Sequence, residues 1–373
     1  MRIWLIGRGY PTTSNGMWGS FELEQAKLLA RNGHEVFYIA LTLSFLNRKD
    51  PRGFRKFVEE GVRIYTYSHL YFPGKLGFYW KRFEDNCWKL LLDKVKDDSG
   101  MPEIIHVHYP SMISSIQEIE KYRSAGVRLF VTEHWSRVLI NTLKKHEIDR
   151  LRYYGANANC FISVGQQLLE AASNLVDISV STEIIPNLVS PLFTAEKNTH
   201  SNFTFVAIGR LVGLKQFDVV IQQFIEQFSE NDNIRLVVIG SGSERKKLEN
   251  LAIGNDKIRF AGELKLRDVA VELNKADVLV SFSKYETFCV PVAEAWLCGK
   301  PTIISDKEGV VSYLNHNLGI SVPYNKPSLL GDAMHEIYDN YEKYDSELIS
   351  EYARSIFSEQ VIYDKLITTY EKY

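Results

Sequence analysis

Cysteine is scarce in this chain, with four residues among 373, and no two of them are spaced as C-x-x-C. This pattern does not suit a disulfide framework, and it favours a reducing, cytoplasmic compartment. No apolar run approaches the ~18 residues that a transmembrane helix needs, and the run at the amino terminus is too short for a signal peptide. We therefore expect neither a membrane-spanning protein nor a disulfide-stabilised secreted domain.

A strong charge of one sign is also missing, since 44 Lys and Arg residues stand against 46 Asp and Glu residues. A net charge of -2 gives no reason to expect a nucleic-acid partner. The charge is unevenly spread, because residues 1–190 hold 24 cationic and 20 anionic side chains, a net +4, and the remainder holds 20 and 26, a net -6. The amino-terminal half is the one expected to meet an acidic ligand.

Short apolar runs alternate with longer segments of helical periodicity, which is typical of parallel α/β sheets. Five runs predict strands of a first domain: Ile3–Ile6, Val36–Ala40, Ile104–Val107, Leu129–Thr132 and Cys160–Val164. Five more predict strands of a second: Phe203–Ile208, Ile234–Ile239, Ile258–Phe260, Val278–Phe282 and Pro301–Ile304. The periodicity lapses in a Pro-, Asn- and Ser-containing stretch from Ile185 to Ser201. We predict an α/β fold of two Rossmann-like domains around a central cleft, with boundaries at 1–190 and 191–355.

Two cations lie in the loop after the first strand of the second set. Arg210 follows Phe203–Ile208 closely, and Lys215 comes just before a helix that begins near Phe217. Ligands of open α/β sheets bind at the carboxyl ends of the strands, where two fixed cations would suit a nucleotide diphosphate. The alternative is a pair of ordinary surface cations. A second glycine-rich turn, Gly240 to Glu244, could also approach a ligand, although many such turns only connect elements.

Two glutamates stand eight positions apart within the segment from Ser283 to Thr302. Glu286 is predicted in the loop after a strand and Glu294 on the helix that follows. The backbone N–H groups of Phe288, Cys289 and Val290 would lie at the amino end of that helix, available to a phosphate or sugar oxygen. Because the two oxygens of a carboxylate match a vicinal diol, one glutamate could hold a ribose and the other the transferred sugar. The alternative is an ordinary turn residue and an ordinary helix residue.

This combination resembles the signature of retaining GT-B glycosyltransferases of family four, also called group 1. The resemblance rests on Glu286-x7-Glu294, on Phe288 between them, on Gly299-x-Pro301 after them and on the loop from Gly209 to Lys215. Similar pieces fall in the family's order at Ile105–His108, Thr132–His134, Ile185–Asn187 and the helix from Phe357. The resemblance covers nearly the whole chain. It implies a GT-B fold in which a helix over residues 356–373 returns to the first domain.

The resemblance also implies a role for each matching residue. Arg210 and Lys215 would bind the diphosphate, Glu294 the ribose and Glu286 the donor sugar. The donor site would further contain Gly240 and the backbone around Phe288, Cys289 and Val290. The sequence departs from the family at Thr287, where a small residue is usual, and at Cys289 and Leu188, where glycine is usual. The first two departures indicate that contacts with the donor sugar differ here.

In the first domain, the loop after the first strand is rich in glycine, and the resemblance places Gly16 beside the donor diphosphate. The competing interpretation of Gly7-x-Gly9 as a dinucleotide fingerprint fails the spacing of the third glycine. His134 follows a strand at the ligand edge, and the resemblance implies that it faces the donor sugar. His108 is the better candidate for an acceptor contact, and His106 is predicted to be structural.

No D-x-D pattern or Asp/His cluster predicts a required metal or cofactor. The chemistry agrees with this, since Arg210, Lys215 and helix amides could neutralise the leaving group. The resemblance implies a front-face reaction that retains the sugar's configuration, catalysed with the help of His134, Glu286, Arg210 and Lys215. The donor would be a UDP- or GDP-linked hexose or N-acetylhexosamine. The acceptor would be a glycan or a lipid-linked acceptor, in cell-surface polysaccharide biosynthesis.

Two alternatives remain open at this stage. One is an epimerase-like GT-B enzyme that processes its nucleotide sugar without an acceptor, and the other is a non-catalytic sugar-nucleotide-binding protein. Aromatic and cationic residues also mix in segments 45–57 and 70–83. These could touch the inner face of an anionic membrane, or they could be core aromatics with solvated cations.

Overall fold

The computed structural model describes residues 1–11, 18–44, 52–70, 77–113, 115–196, 202–231 and 233–373. The chain forms two compact units. The first comprises Met1–Leu188 together with Tyr363–Tyr373, and the second comprises Val189–Ile362.

The first unit is built on an eight-stranded sheet whose order is β3-β4-β2-β1-β5-β6-β7-β8. Every neighbouring pair is parallel except β3 and β4, which are antiparallel. The strands are β1 (Arg2–Gly7), β2 (Glu35–Ser44), β3 (Gly53–Glu59), β4 (Val62–Leu70), β5 (Ile104–His108), β6 (Arg128–Glu133), β7 (Cys160–Ser163) and β8 (Ser181–Ile184). The helices that connect them are α1 (Ser20–Arg31), α2 (Gly77–Ser99), α3 (Ile116–Ser124), α4 (Ser136–Leu139), α5 (Lys145–Asn157) and α6 (Gln166–Leu175).

The central strands of this sheet are buried on both faces, as their continuous apolar sequence requires in a parallel sheet. All four residues of Ile3–Ile6 in β1 are fully buried. A polar atom in this core is paired, since the Trp4 indole N–H donates to Ser99 Oγ at 3.2 Å. The ligand edge of the sheet therefore rests on a core that holds the strand ends in fixed positions.

The second unit is built on a six-stranded parallel sheet whose order is β11-β10-β9-β12-β13-β14. Its strands are β9 (Phe203–Ile208), β10 (Ile234–Ile239), β11 (Ile258–Gly262), β12 (Val278–Ser281), β13 (Thr302–Ser305) and β14 (Gly319–Val322). Its helices are α7 (Phe217–Phe228), α8 (Arg245–Leu251), α9 (Leu266–Lys275), α10 (Val290–Leu297), α11 (Ser328–Asp339) and α12 (Ser346–Phe357), with short 3₁₀ helices at Gly213–Lys215, Gly309–Tyr313 and Tyr341–Lys343. Since β9 and β12 are neighbours, the loops that follow them open at the same edge.

All ten predicted strands are present, and each end lies within two residues of its prediction except the carboxyl end of β2, which runs four residues past Ala40 to Ser44. The sequence did not predict β3, β4, β8 or β14. The first two form an edge hairpin rich in charged and aromatic side chains, and its two-residue turn, Glu60–Gly61, takes positive φ angles of 45° and 81°. Strands β8 and β14 have only four residues each and little apolar patterning, which leaves them without a periodic signal.

The closing helix differs in two ways from the single helix expected from Phe357. Helix α12 ends at Phe357, Ser358 is extended with ψ 152°, and α13 (Glu359–Lys372) begins after it. Second, the apolar residues Val361 and Ile367 are only partly buried, and the buried residues at helical spacing are Ile362, Leu366 and Tyr370. The Tyr370 ring lies edge-on to Phe130 of the first sheet, with centroids 4.9 Å apart. Tyr370 therefore belongs to the core of the first unit.

Candidate active site

The carboxyl edge of the second sheet brings two of the predicted charged residues together. Lys215 lies in the 3₁₀ turn between β9 and α7, and Glu286 lies in the loop after β12. The backbone N–H of Lys284 donates to the Leu214 carbonyl at 3.0 Å, which ties the two loops to each other. Lys215 Nζ then contacts Glu286 Oε1 at 2.6 Å.

Burial decides the electrostatics of this ion pair. The side chains of Lys215 and Glu286 are only 14% and 21% exposed. Burial alone would lower the pKa of Lys215, but the neighbouring carboxyl groups of Glu286 and Glu308 raise it above its ordinary value. The ammonium therefore stays charged at the sheet edge. Arg210, in contrast, is exposed and has no ion-pair partner among the described residues.

A second loop holds Glu286 in place. The backbone N–H of Glu286 donates to the Lys307 carbonyl, and the Gly309 N–H donates back to the Glu286 carbonyl, both at 3.0 Å. A Cβ on Gly309 would lie 2.1 Å from the Thr287 carbonyl oxygen, so only glycine allows this approach. The loop after β13 thus packs closely against the loop after β12 and fixes the position of Glu286.

Glu308, in the loop after β13, is a functional candidate that sequence reasoning missed. Its side chain is fully buried, and Oε1 accepts from Ser281 Oγ at 2.8 Å and from the Ser283 N–H at 2.9 Å. Its other oxygen has no partner within the described residues, and burial raises its pKa while Lys215 lowers it. The available signal was its place in the loop that follows a strand, β13, because Glu286 likewise lies in the loop that follows β12.

The structure explains why glycine is usual at the position of Cys289. Cys289 caps helix α10 with φ 78° and ψ 74°, in the left-handed region that favours glycine. Its thiol is buried 3.5 Å from Ser281 Oγ, and burial raises its pKa far above the ordinary value. A neutral thiol therefore occupies space beside Glu286 that a glycine would leave open.

The amino end of α10 offers free backbone donors. Within the described residues, the N–H groups of Phe288, Cys289 and Val290 donate to no other group of the protein. The Phe288 side chain itself is buried, with its ring 5.7 Å from that of Phe357. Phe288 can therefore serve a ligand only through its backbone.

Glu294 lies one turn into α10 and is 8% exposed. Burial raises the pKa of its carboxyl to about 8, and no hydrogen bond or ion pair reaches it from the described part of the chain. A buried carboxyl that has no hydrogen-bond or ion-pair partner loses its hydration without compensation. Such a group is typical of a ligand-binding site. Its expected contact with a ribose stays a prediction.

Gly240 has a structural reason to be glycine. Its φ is 133°, and a Cβ there would lie 1.9 Å from the Gly209 carbonyl oxygen. The glycine lets the loop after β10 approach the loop after β9, where the Leu211 N–H donates to the Ser241 carbonyl at 2.9 Å. Close loop packing thus accounts for this residue, and its donor-binding role stays a prediction.

In the first unit, His134 follows β6 and is buried with its neighbour His108, the last residue of β5. His134 Nε2 lies 2.9 Å from His108 Nδ1, and the two rings stack with centroids 5.1 Å apart. Burial lowers the pKa of His134 to about 3, and the nearby Arg8 guanidinium acts in the same direction. His106 is structural as expected, held by Tyr370 Oη at 2.6 Å and Thr132 Oγ1 at 2.7 Å.

Arg8 is a second residue that the sequence did not single out. It follows β1 and lies between the rings of Trp18 and Tyr109, with its guanidinium carbon 4.8 Å and 4.4 Å from their centroids. The buried Glu22 carboxylate stands 3.4 Å from Arg8 Nε. Gly16, predicted in the same loop, lies outside the described residues. The signal for Arg8 was again its place directly after a strand.

The described segments hold neither a metal-binding cluster nor a membrane-spanning helix. No three His, Cys, Asp or Glu side chains in them are grouped so that they could hold a metal ion. No helix in these segments is both long and apolar enough to cross a membrane.

Comparison with protein families matches residues 192–355 to the glycosyl transferases group 1 family. The chain contains a group 1 glycosyltransferase domain over residues 192–355. It is similar to a subunit of the human phosphatidylinositol N-acetylglucosaminyltransferase, at 25% identity over 83% of this chain and 62% of that protein. A GDP-mannose-dependent alpha-mannosyltransferase of Mycolicibacterium smegmatis is 23% identical, over 83% of this chain and 80% of its own length. The glycosyltransferase thus spans about three fifths of the human protein.

Solved structures give the fold of this glycosyltransferase. Sucrose-phosphate synthase from Thermosynechococcus elongatus superposes with a TM-score of 0.78 at 19% identity, covering 99% of this chain and 98% of that one. Anabaena HepE, solved in complex with UDP and glucose, gives 0.69 at 15% identity over the whole of both chains. The glycosyltransferase has the GT-B fold, as the sequence predicted.

The buried carboxyl of Glu294 generates a stability prediction for the glycosyltransferase. Because its folded pKa of about 8 lies above the unfolded 4.5, the folded state binds an extra proton between these values. Stability contributed by the neutral carboxyl is lost as the pH rises through this range. Glu294→Gln should therefore raise the free energy of unfolding at pH 8.5 by on the order of 3 kcal/mol, and much less near pH 5.

Urea denaturation at the two pH values measures this difference. Glu351→Gln, an exposed glutamate on α12, is the matched control and should change little at either pH. An equal effect of Glu294→Gln at both pH values would contradict the assigned burial.

Proposed function

We propose that this glycosyltransferase moves a hexose or N-acetylhexosamine from a UDP- or GDP-sugar to a hydroxyl of a glycan or lipid-linked acceptor, with retention of configuration. Its setting would be cell-surface polysaccharide biosynthesis. The observation that carries the proposal is the contact of 2.6 Å between Lys215 and Glu286 at the carboxyl edge of the second sheet. This contact places a cation suited to phosphate beside a carboxylate suited to sugar hydroxyls.

Donor binding would divide among four groups of the second unit. Lys215 and the exposed Arg210 would hold the diphosphate, and the free amides at the start of α10 would add hydrogen bonds to it. Glu294, buried and without a partner in the described part of the chain, would accept hydrogen bonds from the ribose diol. Glu286 would hold hydroxyls of the transferred sugar, since its carboxylate is fixed by Lys215 and by the loop after β13.

We propose that transfer is metal-independent. When the C1–O bond to the diphosphate breaks, negative charge grows on the leaving phosphate oxygen. Arg210, the charged Lys215 and the amides of α10 would meet that charge, and such preorganised donors stabilise a developing anion. The charge balance is therefore met by the chain's own cations.

The chemical step would follow a front-face route. The acceptor oxygen forms a bond to C1 on the side from which the diphosphate leaves, and its proton passes to the departing phosphate oxygen. His134 would assist by a hydrogen bond to the sugar. His108 was the candidate for acceptor contact, but its Nδ1 faces His134 and its Nε2 faces Gln25, so neither ring nitrogen is left for an acceptor. No protein nucleophile is required.

The names of relatives support the donor class. One relative is GDP-mannose-dependent, another is named for N-acetylglucosamine transfer, and a neighbour of the same fold was solved with UDP and glucose. The human relative's name also supports a lipid-linked acceptor. The neutral thiol of Cys289 and the side chain of Thr287 would then lie where the choice of sugar is made.

The alternatives are an epimerase-like GT-B enzyme and a non-catalytic binding protein. Incubation of the purified protein with its nucleotide sugar alone separates them. Conversion of the sugar without an acceptor would favour the epimerase-like activity, and binding without any turnover would favour the binding protein.

We further propose a cytoplasmic location with peripheral contact to the membrane's inner face. Arg52, Arg55 and Lys56 on or before β3, and Lys81 and Arg82 on α2, are exposed. The ring of Phe57 instead packs edge-on against Tyr10, with centroids 5.2 Å apart. These cations support binding to anionic headgroups by charge, without insertion of that aromatic ring. Segments 45–51 and 71–76 lie outside the described residues.

The donor-site assignment generates a kinetic prediction. Glu294→Ala should raise the KM for the nucleotide sugar, because a ribose contact is made equally in the ground and transition states. Arg210→Ala and Lys215→Ala should chiefly lower kcat, by roughly 10²-fold, because their charge meets a charge that develops during transfer. Donors are first ranked by thermal shift on a panel of UDP-, GDP- and ADP-sugars, and transfer is then followed by release of nucleoside diphosphate.

Lys284→Ala is the matched control, because Lys284 is an exposed cation in the same loop as Glu286. It should retain the kinetics of the wild type. Wild-type kinetics in all three site variants would reject the assigned site.

The proposed membrane contact predicts salt-sensitive flotation with anionic liposomes. A variant with Arg52, Arg55 and Arg82 all changed to Glu should lose flotation, because surface cations add about 1 kcal/mol each to headgroup binding. The control carries the same change at Lys265, Arg267 and Lys326, exposed cations of the second unit, and should still float. If the wild type does not float with anionic liposomes even at low salt, the proposed membrane contact is wrong.

A further inference from the structure

Three histidines of the first unit form a continuous stack at the ligand edge of its sheet. The rings of His106 and His108 have centroids 4.4 Å apart, and those of His108 and His134 are 5.1 Å apart. The Tyr109 ring also stacks with that of His134, with centroids 4.8 Å apart, and the Arg8 guanidinium lies over the Tyr109 ring. Protonation anywhere in this stack would place a charge in a buried row that already ends at an arginine.

All three imidazoles are neutral. Burial lowers the pKa of His106 to about 3 and that of His134 to about 3, and it lowers the pKa of His108 well below its ordinary value. A neutral imidazole has one N–H donor and one acceptor nitrogen. A hydrogen bond between two neutral imidazoles therefore couples their tautomers, because one ring must donate and the other must accept.

Gln25 of α1 determines which ring donates. Its amide nitrogen lies 3.4 Å from His108 Nε2 and 3.4 Å from His106 Nδ1, so it directs N–H groups towards both. An N–H donor facing His108 Nε2 makes that atom the acceptor and leaves the proton of His108 on Nδ1. His108 Nδ1 then donates to His134 Nε2 across 2.9 Å. The remaining proton of His134 must lie on its Nδ1.

The surroundings of His106 agree with this orientation of Gln25. His106 Nδ1 also lies 2.6 Å from Tyr370 Oη, and His106 Nε2 lies 2.7 Å from Thr132 Oγ1. The single lone pair of His106 Nδ1 accepts from Tyr370 Oη, so the proton of His106 is on Nε2 and is donated to Thr132. Each of these hydrogen bonds then has one donor and one acceptor.

The hydrogen bonds from Gln25 to His108 and from His108 to His134 form a relay. One atom at its end has no hydrogen-bond partner in the described part of the chain. His134 Nδ1 is buried and has no hydrogen-bond partner within the described residues. Asn187 lies close enough to favour the protonated ring slightly, but none of its atoms is in hydrogen-bond geometry with Nδ1. Buried polar atoms of folded proteins are rarely left unpaired unless they serve a ligand.

We propose that Gln25 and His108 are positioning residues that fix His134 as its Nδ1–H tautomer. His134 then presents a single neutral hydrogen-bond donor to a hydroxyl oxygen of the transferred sugar. The tautomer assignment stands on the ligand-free geometry, and only the identity of the ligand rests on the proposed function. A neutral donor suits this position because an imidazolium would face the positive charge of Arg8.

The tautomer is measured directly by long-range 1H–15N correlation on ligand-free protein labelled with 15N-histidine. The His134 signals are identified by their loss in His134→Asn. The expected spectrum has a protonated, pyrrole-type Nδ1 and an unprotonated, pyridine-type Nε2 for His134. A wild-type His134 protonated on Nε2 would overturn the proposal.

Gln25→Glu is the variant that should invert the relay. A carboxylate at position 25 would accept a hydrogen bond from His108 Nε2–H, which moves the proton of His108 from Nδ1 to Nε2. His108 Nδ1 then accepts from His134 Nε2–H, so the proton of His134 moves from Nδ1 to Nε2. The expected result is an inverted His134 spectrum and a kcat lowered about tenfold or more, since one hydrogen bond to the sugar is lost. The Kd for free nucleoside diphosphate, UDP or GDP, should stay within about twofold of wild type, because that ligand lacks the sugar.

Gln25→Met is the matched control, since it removes the amide without imposing the opposite tautomer. It should give a mixture of His134 tautomers and an intermediate kcat, and it serves as the readout if Gln25→Glu does not fold. An inverted His134 with unchanged kcat, or a Gln25→Glu protein that keeps the Nδ1–H tautomer, would contradict the assigned roles. If the wild type transfers no sugar at all, the proposed function fails while the spectrum still decides the tautomer.

Discussion

The contact between Lys215 and Glu286 is the interaction on which the donor site depends. Two partly buried charges at 2.6 Å satisfy each other before any ligand arrives, which keeps the lysine charged and its ammonium at the sheet edge. Removing either partner would leave a desolvated charge without compensation. The approach of the loop after β13, made possible by Gly309, keeps Glu286 in the position from which it can form this pair.

The buried carboxyls around this pair connect stability to function. Glu308 supports the loop after β12 through Ser281 and Ser283, and its buried charge is compensated mainly by Lys215. Glu294 is held without a partner among the described residues and would gain hydrogen bonds only from a ligand. We infer that the fold gives up stability at these positions and that donor binding restores part of it.

The sequence predicted the ten buried strands and the loops that follow them, because apolar runs and strand ends are local signals. The charged residues Lys215 and Glu286 were found for the same reason. Three other features depend on contacts between residues far apart in the chain. They are the pairing of Lys215 with Glu286, the support that Glu308 gives to the loop after β12, and the relay from Gln25 to His134. The edge hairpin of β3 and β4 was missed because its charged and aromatic residues have neither a strand's clean alternation nor a buried run.

The most direct test compares the affinities of free nucleoside diphosphate and intact nucleotide sugar by isothermal titration calorimetry. The free diphosphate carries the charge that appears on the leaving group, so Lys215 should favour it over the intact donor. Lys215→Ala should lower the affinity for the diphosphate by roughly 30-fold or more and that for the nucleotide sugar by only a few-fold, while Lys284→Ala changes neither. Equal losses for both ligands, or none for either, would contradict the account.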